Sequence, residues 1–349
     1  MAADAITIPL PDDWHLHLRD GQMLAAVLPA TARDFGRAIV MPNLKPPVTT
    51  ARAAAEYRQR IRALLPSGST FEPLMTCYLT DNIDVHDLVA GARAGVFTAA
   101  KLYPAGATTN SDAGVTTIAR LGKVLEGMQA AGLPLLVHGE VTSPEVDVFD
   151  REAVFIERVL TPLRREFPAL KIVLEHITTR EGVEFVRAAP GPTAATITPH
   201  HLMVNRNAMF ERGIRPHMYC LPVAKREVHR QALRRAAVSG DPRFFLGTDS
   251  APHLRSLKEH DCGCAGVFNA PTALACYAQV FDEEGALDRL PDFASRFGAE
   301  FYGLPPHRQS LRLERSAEPI QAADWPTPEG PVRTFAPSAG IRWRRVPTL

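Results

Sequence analysis

The residues best suited to chemistry come early: Asp13 to Asp20 read DWHLHLRD. Along a strand alternate side chains share a face, so His15 and His17 point one way and Trp14, Leu16 and Leu18 the other. Two neutral imidazoles aimed at one point suit a divalent cation, whereas two imidazolium ions there would repel. A solvated strand edge explains an isolated His-x-His equally well. Further on, Lys101 ends the small, apolar run VFTAAKLYP. A lone strand lysine ordinarily extends its amine to solvent. Held uncharged among apolar neighbours, it can instead add carbon dioxide, giving a carbamate whose two oxygens bridge two cations. His138 closes LPLLVHGE, His176 closes KIVLEHIT, and Asp249 closes FFLGTDSAPH, with His253 shortly after it. Singly, each has an ordinary alternative as a hydrogen-bonded core histidine or a helix-capping aspartate.

What could give these residues a common address is a repeat of element type. Short, β-rich apolar segments recur at 14–18, 37–41, 71–79, 97–103, 133–138, 170–176, 194–199 and 244–249. Between them lie stretches with helical periodicity, including 52–64, 116–131, 151–167 and 226–238. In the first of these, Ala54, Tyr57, Ile61 and Leu64 share one face. Eight such alternations predict an α/β fold, a TIM-like (β/α)8 barrel. The competing architecture, an open doubly wound sheet, should carry a glycine-rich turn after its first strand, where this chain has His15, His17 and Arg19. A barrel gathers its strand ends at one mouth, so His15, His17, Lys101, His138, His176 and Asp249 converge there. Their nitrogen and oxygen donors match zinc and suffice for two cations roughly 3.5–4 Å apart.

Composition narrows the frame. The 349 residues carry 39 Lys+Arg against 38 Asp+Glu, a net charge of +1 that gives no nucleic-acid signature. A 46% hydrophobic content excludes bulk disorder. Five cysteines form no regular framework, and no apolar signal segment follows Met1, so a soluble cytoplasmic protein is expected. No apolar run approaches the ~18 residues of a membrane helix. From about residue 305 the chain turns Pro-rich. Residues 305–349 read as a short irregular C-terminal extension packed on the barrel through Trp325 and Trp343, with 1–349 one domain. Cys262 and Cys264 read as free thiols lining a loop, and His200 and His201 as structural. His217 reads as a support for the site, and His86, His229, His260 and His307 as surface. The arginines of RREF and RWRR read as solvated faces.

The order His-x-His, Lys, His, His, Asp resembles that of the metal-dependent amidohydrolase superfamily. Beyond that order, DWHLHLRD, AIVMPNLKPPVTT, LMTCYLTD, GVFTAAKLYPAGATTN, RPHMYCLPV and CGCAGVFNAPTA resemble the dihydroorotases of the bacterial PyrC type (class II). The likeness runs to about Gly303. It implies one zinc on His15, His17 and Asp249, a second on His138 and His176, and both bridged by N6-carboxylated Lys101 and a hydroxide. It also implies reversible cyclisation of N-carbamoyl-L-aspartate to L-dihydroorotate in pyrimidine biosynthesis, with Asp249 as general acid/base.

An anionic substrate needs a clamp. Arg19, two residues past His17, offers a guanidinium fork, and Asn43 and His253 offer further donors. The family reading adds His17 and His138 as substrate contacts, Leu221 and Ala265 as backbone readers of the ring edge, and the loop PAGATTNSDAG as a lid bearing Thr108 and Thr109. It implies a homodimer with no nucleic-acid or membrane partner. Two other readings stand beside it. A hydantoinase or allantoinase would lack the substrate carboxylate, and a non-catalytic scaffold should have lost metal ligands.

Overall fold

A computed structural model describes residues 4–261 and 263–346. After β1 (Ala5–Pro9), eight strands pair side by side in chain order. They are β2 (Asp12–Leu16), β3 (Arg37–Val40), β4 (Glu72–Tyr78), β5 (Ala99–Leu102), β6 (Leu135–Val137), β7 (Ile172–Leu174), β8 (Thr193–Ile197) and β9 (Phe244–Leu246). Every pairing is parallel. A bridge between Leu16 and Ser250 brings the first strand against the last, with His17 N–H donating to Ser250 O at 3.1 Å. The eight expected strands are all present; six are shorter than expected, while β2 begins two residues and β8 one residue earlier, and the barrel is nearly closed.

Strand alternation produces two apolar layers. Trp14, Ile39, Leu74, Ala99, Leu136, Val173, Ala194 and Phe245, one from each barrel strand, pack together in the lumen. Their neighbours, among them Val40, Ala100, Val137, Leu174 and Leu246, face the surrounding helices. The lumen is plugged from below by Phe297, Ala299 and Tyr302, and Trp14 stacks on Tyr302 with ring centroids 4.5 Å apart. Gly298 is required there because a Cβ would collide with the indole of Trp14. Trp14 therefore does not share a face with Leu16 and Leu18, as simple alternation predicts. The β2–β3 register shifts between Asp13 and Leu16, and that bulge lets Trp14 and His15 both turn inward.

The outer helices follow the periodicity with local departures. In Ala51–Ala63, Thr50 caps the Ala53 amide at 3.2 Å and Ala54, Tyr57 and Ile61 are buried. Leu64 leaves that face because the helix ends one residue before it, and it is 41% exposed. The expected helix over 151–167 widens into a π-turn at Ile156–Leu160, just before Pro162, which has no N–H to return to the preceding turn. Arg164 is no solvated arginine: it is buried and donates to Leu170 O at 2.6 Å and to Phe167 O. Among the described residues no helix is long and apolar enough to cross a membrane.

The C-terminal extension is more ordered than its composition suggests. β10 (Ser310–Arg315) pairs antiparallel with both β1 and β11 (Trp343–Val346) in a separate three-stranded sheet. Trp343 is fully buried, and Trp325 donates its indole N–H to Ala26 O at 2.8 Å. His307, expected at the surface, holds Asp12 at 2.7 Å beneath the barrel, where Arg37 also pairs with that carboxylate at 2.7 Å.

Candidate active site

The barrel's seam fixes the first ligands. Asp13 accepts from Thr248 N at 2.8 Å, Thr248 Oγ1 at 2.6 Å and His15 N at 3.2 Å. The Asp249 amide donates to His15 O at 2.9 Å. These bonds lace the end of β2 to the end of β9 and bring residues from opposite ends of the chain together. His15 Nε2 lies 3.2 Å from His17 Nε2 and 3.2 Å from Asp249 Oδ1, and His17 Nε2 lies 3.1 Å from the same oxygen. The ring of His176 stands 4.9 Å from His15 and 4.9 Å from His138, centroid to centroid. Lys101, fully buried beneath them, contacts the Glu175 carboxylate and lies 4.8 Å from the Tyr103 ring centroid. Arg19, His176 and Asp249 have φ of 62°, 41° and 46°. Such backbone in non-glycine residues costs about 1–3 kcal/mol each and concentrates at functional sites.

The donor set fits cations. The amide oxygen of Asn43 can only accept, so His17 donates to it from Nδ1 at 2.9 Å and leaves its Nε2 lone pair facing Asp249. The Glu140 carboxylate likewise takes the Nε2 proton of His138 at 2.8 Å, leaving Nδ1 as the free lone pair. Burial pushes His15 down, His17 to about 4 and His176 well below the usual imidazole range, so these rings are neutral near pH 7. Burial also pulls the Lys101 amine well below its ordinary value. Burial opposes ionisation of Asp249, but the neighbouring His15 prevails and holds it well below the carboxylate range. His176 Nδ1 is buried without a hydrogen-bond partner, and His15 Nδ1 lies 3.0 Å from Glu175 Oε1. Buried imidazoles gathered around the Asp249 and Glu175 carboxylates are a donor set that fits cations.

Above this cluster lies one small cavity. His15, His17, Arg19, Asn43, Thr108, Thr109, His138, His176, Leu221, Asp249 and Ala265 all line it. His253 stands behind the wall, with Nε2 2.9 Å from Arg19 Nη2, so it orients the guanidinium and does not itself line the cavity. The loop 105–114 is pinned at its base by Val115 N–H to Tyr103 O at 2.8 Å and Ala105 N–H to Val115 O at 3.0 Å. Its tip reaches across the opening: Thr109 Oγ1 donates to Ala265 O at 3.3 Å, and Asn43 Nδ2 donates to Thr109 O at 3.0 Å.

Some expected positions fall elsewhere. His217 is remote from the cavity and pairs with Glu259 at 2.9 Å. Cys262 lies outside the described residues, and Cys264 is a free thiol. His200, His201 and Cys220 form a buried group with metal-like spacing. Both nitrogens of His201 are already engaged, by Thr198 Oγ1 at 2.7 Å and Pro222 O at 3.0 Å, so its role is structural. Sequence reasoning missed Glu175 and Tyr103. Glu175 immediately precedes His176, and a carboxylate at a strand end beside a ligand was a readable signal. Tyr103 lines the cavity with a buried, unpartnered hydroxyl, for which the sequence carried no sign.

The model of the amidohydrolase family matches residues 8–312. A dihydroorotase of Cupriavidus necator is 62% identical over 345 residues, covering 97% of this chain and 98% of its own. The chain belongs to the dihydroorotase family of amidohydrolases. The dihydroorotase of Saccharomyces cerevisiae, solved in complex with 5-fluoroorotic acid, superposes with a TM-score of 0.89 at 32% identity, covering 99% of this chain and 100% of its own. The dihydroorotase of Campylobacter jejuni gives 0.88 at 34% identity, covering 99% and 98%. These two dihydroorotases thus share this chain's fold over nearly its whole length.

Proposed function

We propose that this site interconverts N-carbamoyl-L-aspartate and L-dihydroorotate on two zinc ions. Family membership carries the reaction class, and the convergence of four imidazoles, Asp249 and Lys101 below a cavity walled by Arg19 supports the mechanism. His15, His17 and Asp249 would hold one ion, and His138 and His176 the other. Lys101 would join both once its neutral amine has added carbon dioxide and released a proton. The ions, when bound, polarise the ring carbonyl and lower the pKa of water toward neutrality.

The remaining work belongs to the chain. Arg19, braced by His253 and by Pro252 O at 3.2 Å, turns its remaining N–H groups toward the substrate carboxylate. Asn43 keeps His17 in one tautomer and also ties down the loop tip. In the hydrolytic direction water adds to the ring carbonyl carbon and the ring C–N bond breaks. Asp249, held ionised, takes the proton from the attacking water and delivers it to the departing ring nitrogen. Closure of the 105–114 loop excludes bulk water. The 5-fluoroorotic acid in the yeast relative is a pyrimidine carboxylate, which supports a carboxylate clamp in this cavity.

The test is a direct comparison of L-dihydroorotate with hydantoin, followed by ultraviolet absorbance. Dihydroorotate is expected to be preferred on the order of 100-fold, because hydantoin leaves Arg19 unpaired at a cost of roughly 3 kcal/mol. Preference for hydantoin would overturn the substrate assignment.

A further inference from the structure

Lys258, at the end of the short helix Arg255–Lys258, is buried. Among the described residues no carboxylate lies within ion-pair distance of it. Its ammonium instead donates to three backbone carbonyls: Tyr219 O at 3.0 Å, Cys264 O at 2.8 Å and Gly266 O at 2.6 Å. An ammonium has three N–H groups, and all three are used. Burial lowers its pKa to about 8, which leaves it mostly charged at neutral pH.

The acceptors belong to two irregular, neighbouring segments that both contribute to the wall of the substrate cavity. Tyr219 leads within two residues to Leu221, while Cys264 and Gly266 flank Ala265. Leu221, Ala265 and Gly266 all line the cavity. Among the described residues neither segment belongs to a strand, and one direct bond, Gly266 N–H to Tyr219 O at 3.1 Å, spans them. A buried cation without a counter-ion is costly unless charge-assisted bonds compensate, and among the described residues those bonds are the strongest tie between the two walls.

We propose that Lys258 is a positioning residue that fixes the spacing between the Leu221 and Ala265 backbones, and through it the binding of the substrate ring. This rests on the reading that those backbones meet the ring edge. Lys258 touches none of the residues assigned to metal, so its loss leaves the cations in place and acts on substrate binding.

The experiment uses the zinc-loaded enzyme and the variants Lys258→Met, which removes all three donors, and Lys258→Gln, which keeps two. Metal content, kcat, KM for dihydroorotate and amide hydrogen exchange are measured for each. Lys258→Met is expected to raise KM about 10-fold or more, as wall displacement of about 1 Å would, with kcat within about threefold and zinc unchanged. Lys258→Gln should fall between it and the parent. Exchange should quicken in 219–222 and 263–267 and nowhere else. An unchanged KM, or kcat and zinc falling together, overturns the proposal. If Lys258→Met does not fold, Lys258→Gln decides by the same criteria. If the parent fails to turn over dihydroorotate, the functional reading fails, while the exchange pattern still decides whether Lys258 holds the walls.

Discussion

Asp249 shows how much one side chain is asked to do at the residue scale. It lies 3.2 Å from His15 Nε2 and 3.1 Å from His17 Nε2 on a backbone at φ 46°, and its ionised state depends on His15 overcoming burial. His200 presents the opposite case, a buried histidine outside the cation cluster. Burial lowers it from 6.5 to about 4, so it is neutral in the folded protein and charged in the unfolded chain below pH 6.5. A depressed pKa contributes stability that is present above 6.5 and lost as pH falls toward 4. The stability difference between parent and His200→Gln should therefore shift against the parent by on the order of 3 kcal/mol between pH 7 and pH 4. Denaturant titrations at both pH values measure it; a difference independent of pH would show that His200 does not titrate in this way. Residues at strand ends were legible because period-two alternation marks which side chains share a face, and imidazole, amine and carboxylate types there imply coordination. Tyr103 and Lys258 were harder: Tyr103 is placed at the cavity only by the fold, and Lys258 acts through carbonyls that only the folded chain brings near.

At the scale of elements, the strands were legible within a few residues because buried parallel strands read as short apolar runs bounded by turn residues. Helix ends were less so: Leu64 continues the periodicity in sequence but lies beyond the last helical residue, and Pro162 forces a wider turn that hydropathy does not register. The extension's strands escaped notice because their partner, Ala5–Pro9, lies at the other end of the chain. The loop over the cavity carries a prediction of its own. Its base is locked by backbone bonds, while its tip is held by side-chain bonds, Thr109 to the Ala265 wall and Asn43 to Thr109 O. Replacing Thr108 and Thr109 together with glycine should lower kcat/KM about 10-fold or more, with zinc content unchanged. Steady-state kinetics beside elemental analysis checks this, and unaltered kinetics would remove the loop from the mechanism.

At the scale of the whole molecule, the barrel converts far-separated positions into one cluster, and its closing seam does so most directly through Asp13, Thr248, His15 and Asp249. A lumen filled with apolar side chains and plugged from beneath leaves only the mouth open to substrate. The fold and the ligand order were therefore legible together, each supporting the other, whereas the contacts that hold the cavity walls depend on irregular backbone that no periodicity encodes. The measurement that bears most directly on the central claim is elemental analysis of the purified protein and of Lys101→Ala, with dihydroorotate turnover followed in parallel. The account predicts about two zinc per chain in the parent and loss of both bound metal and turnover in the variant. A Lys101→Ala protein that keeps its full metal content and its activity would contradict it.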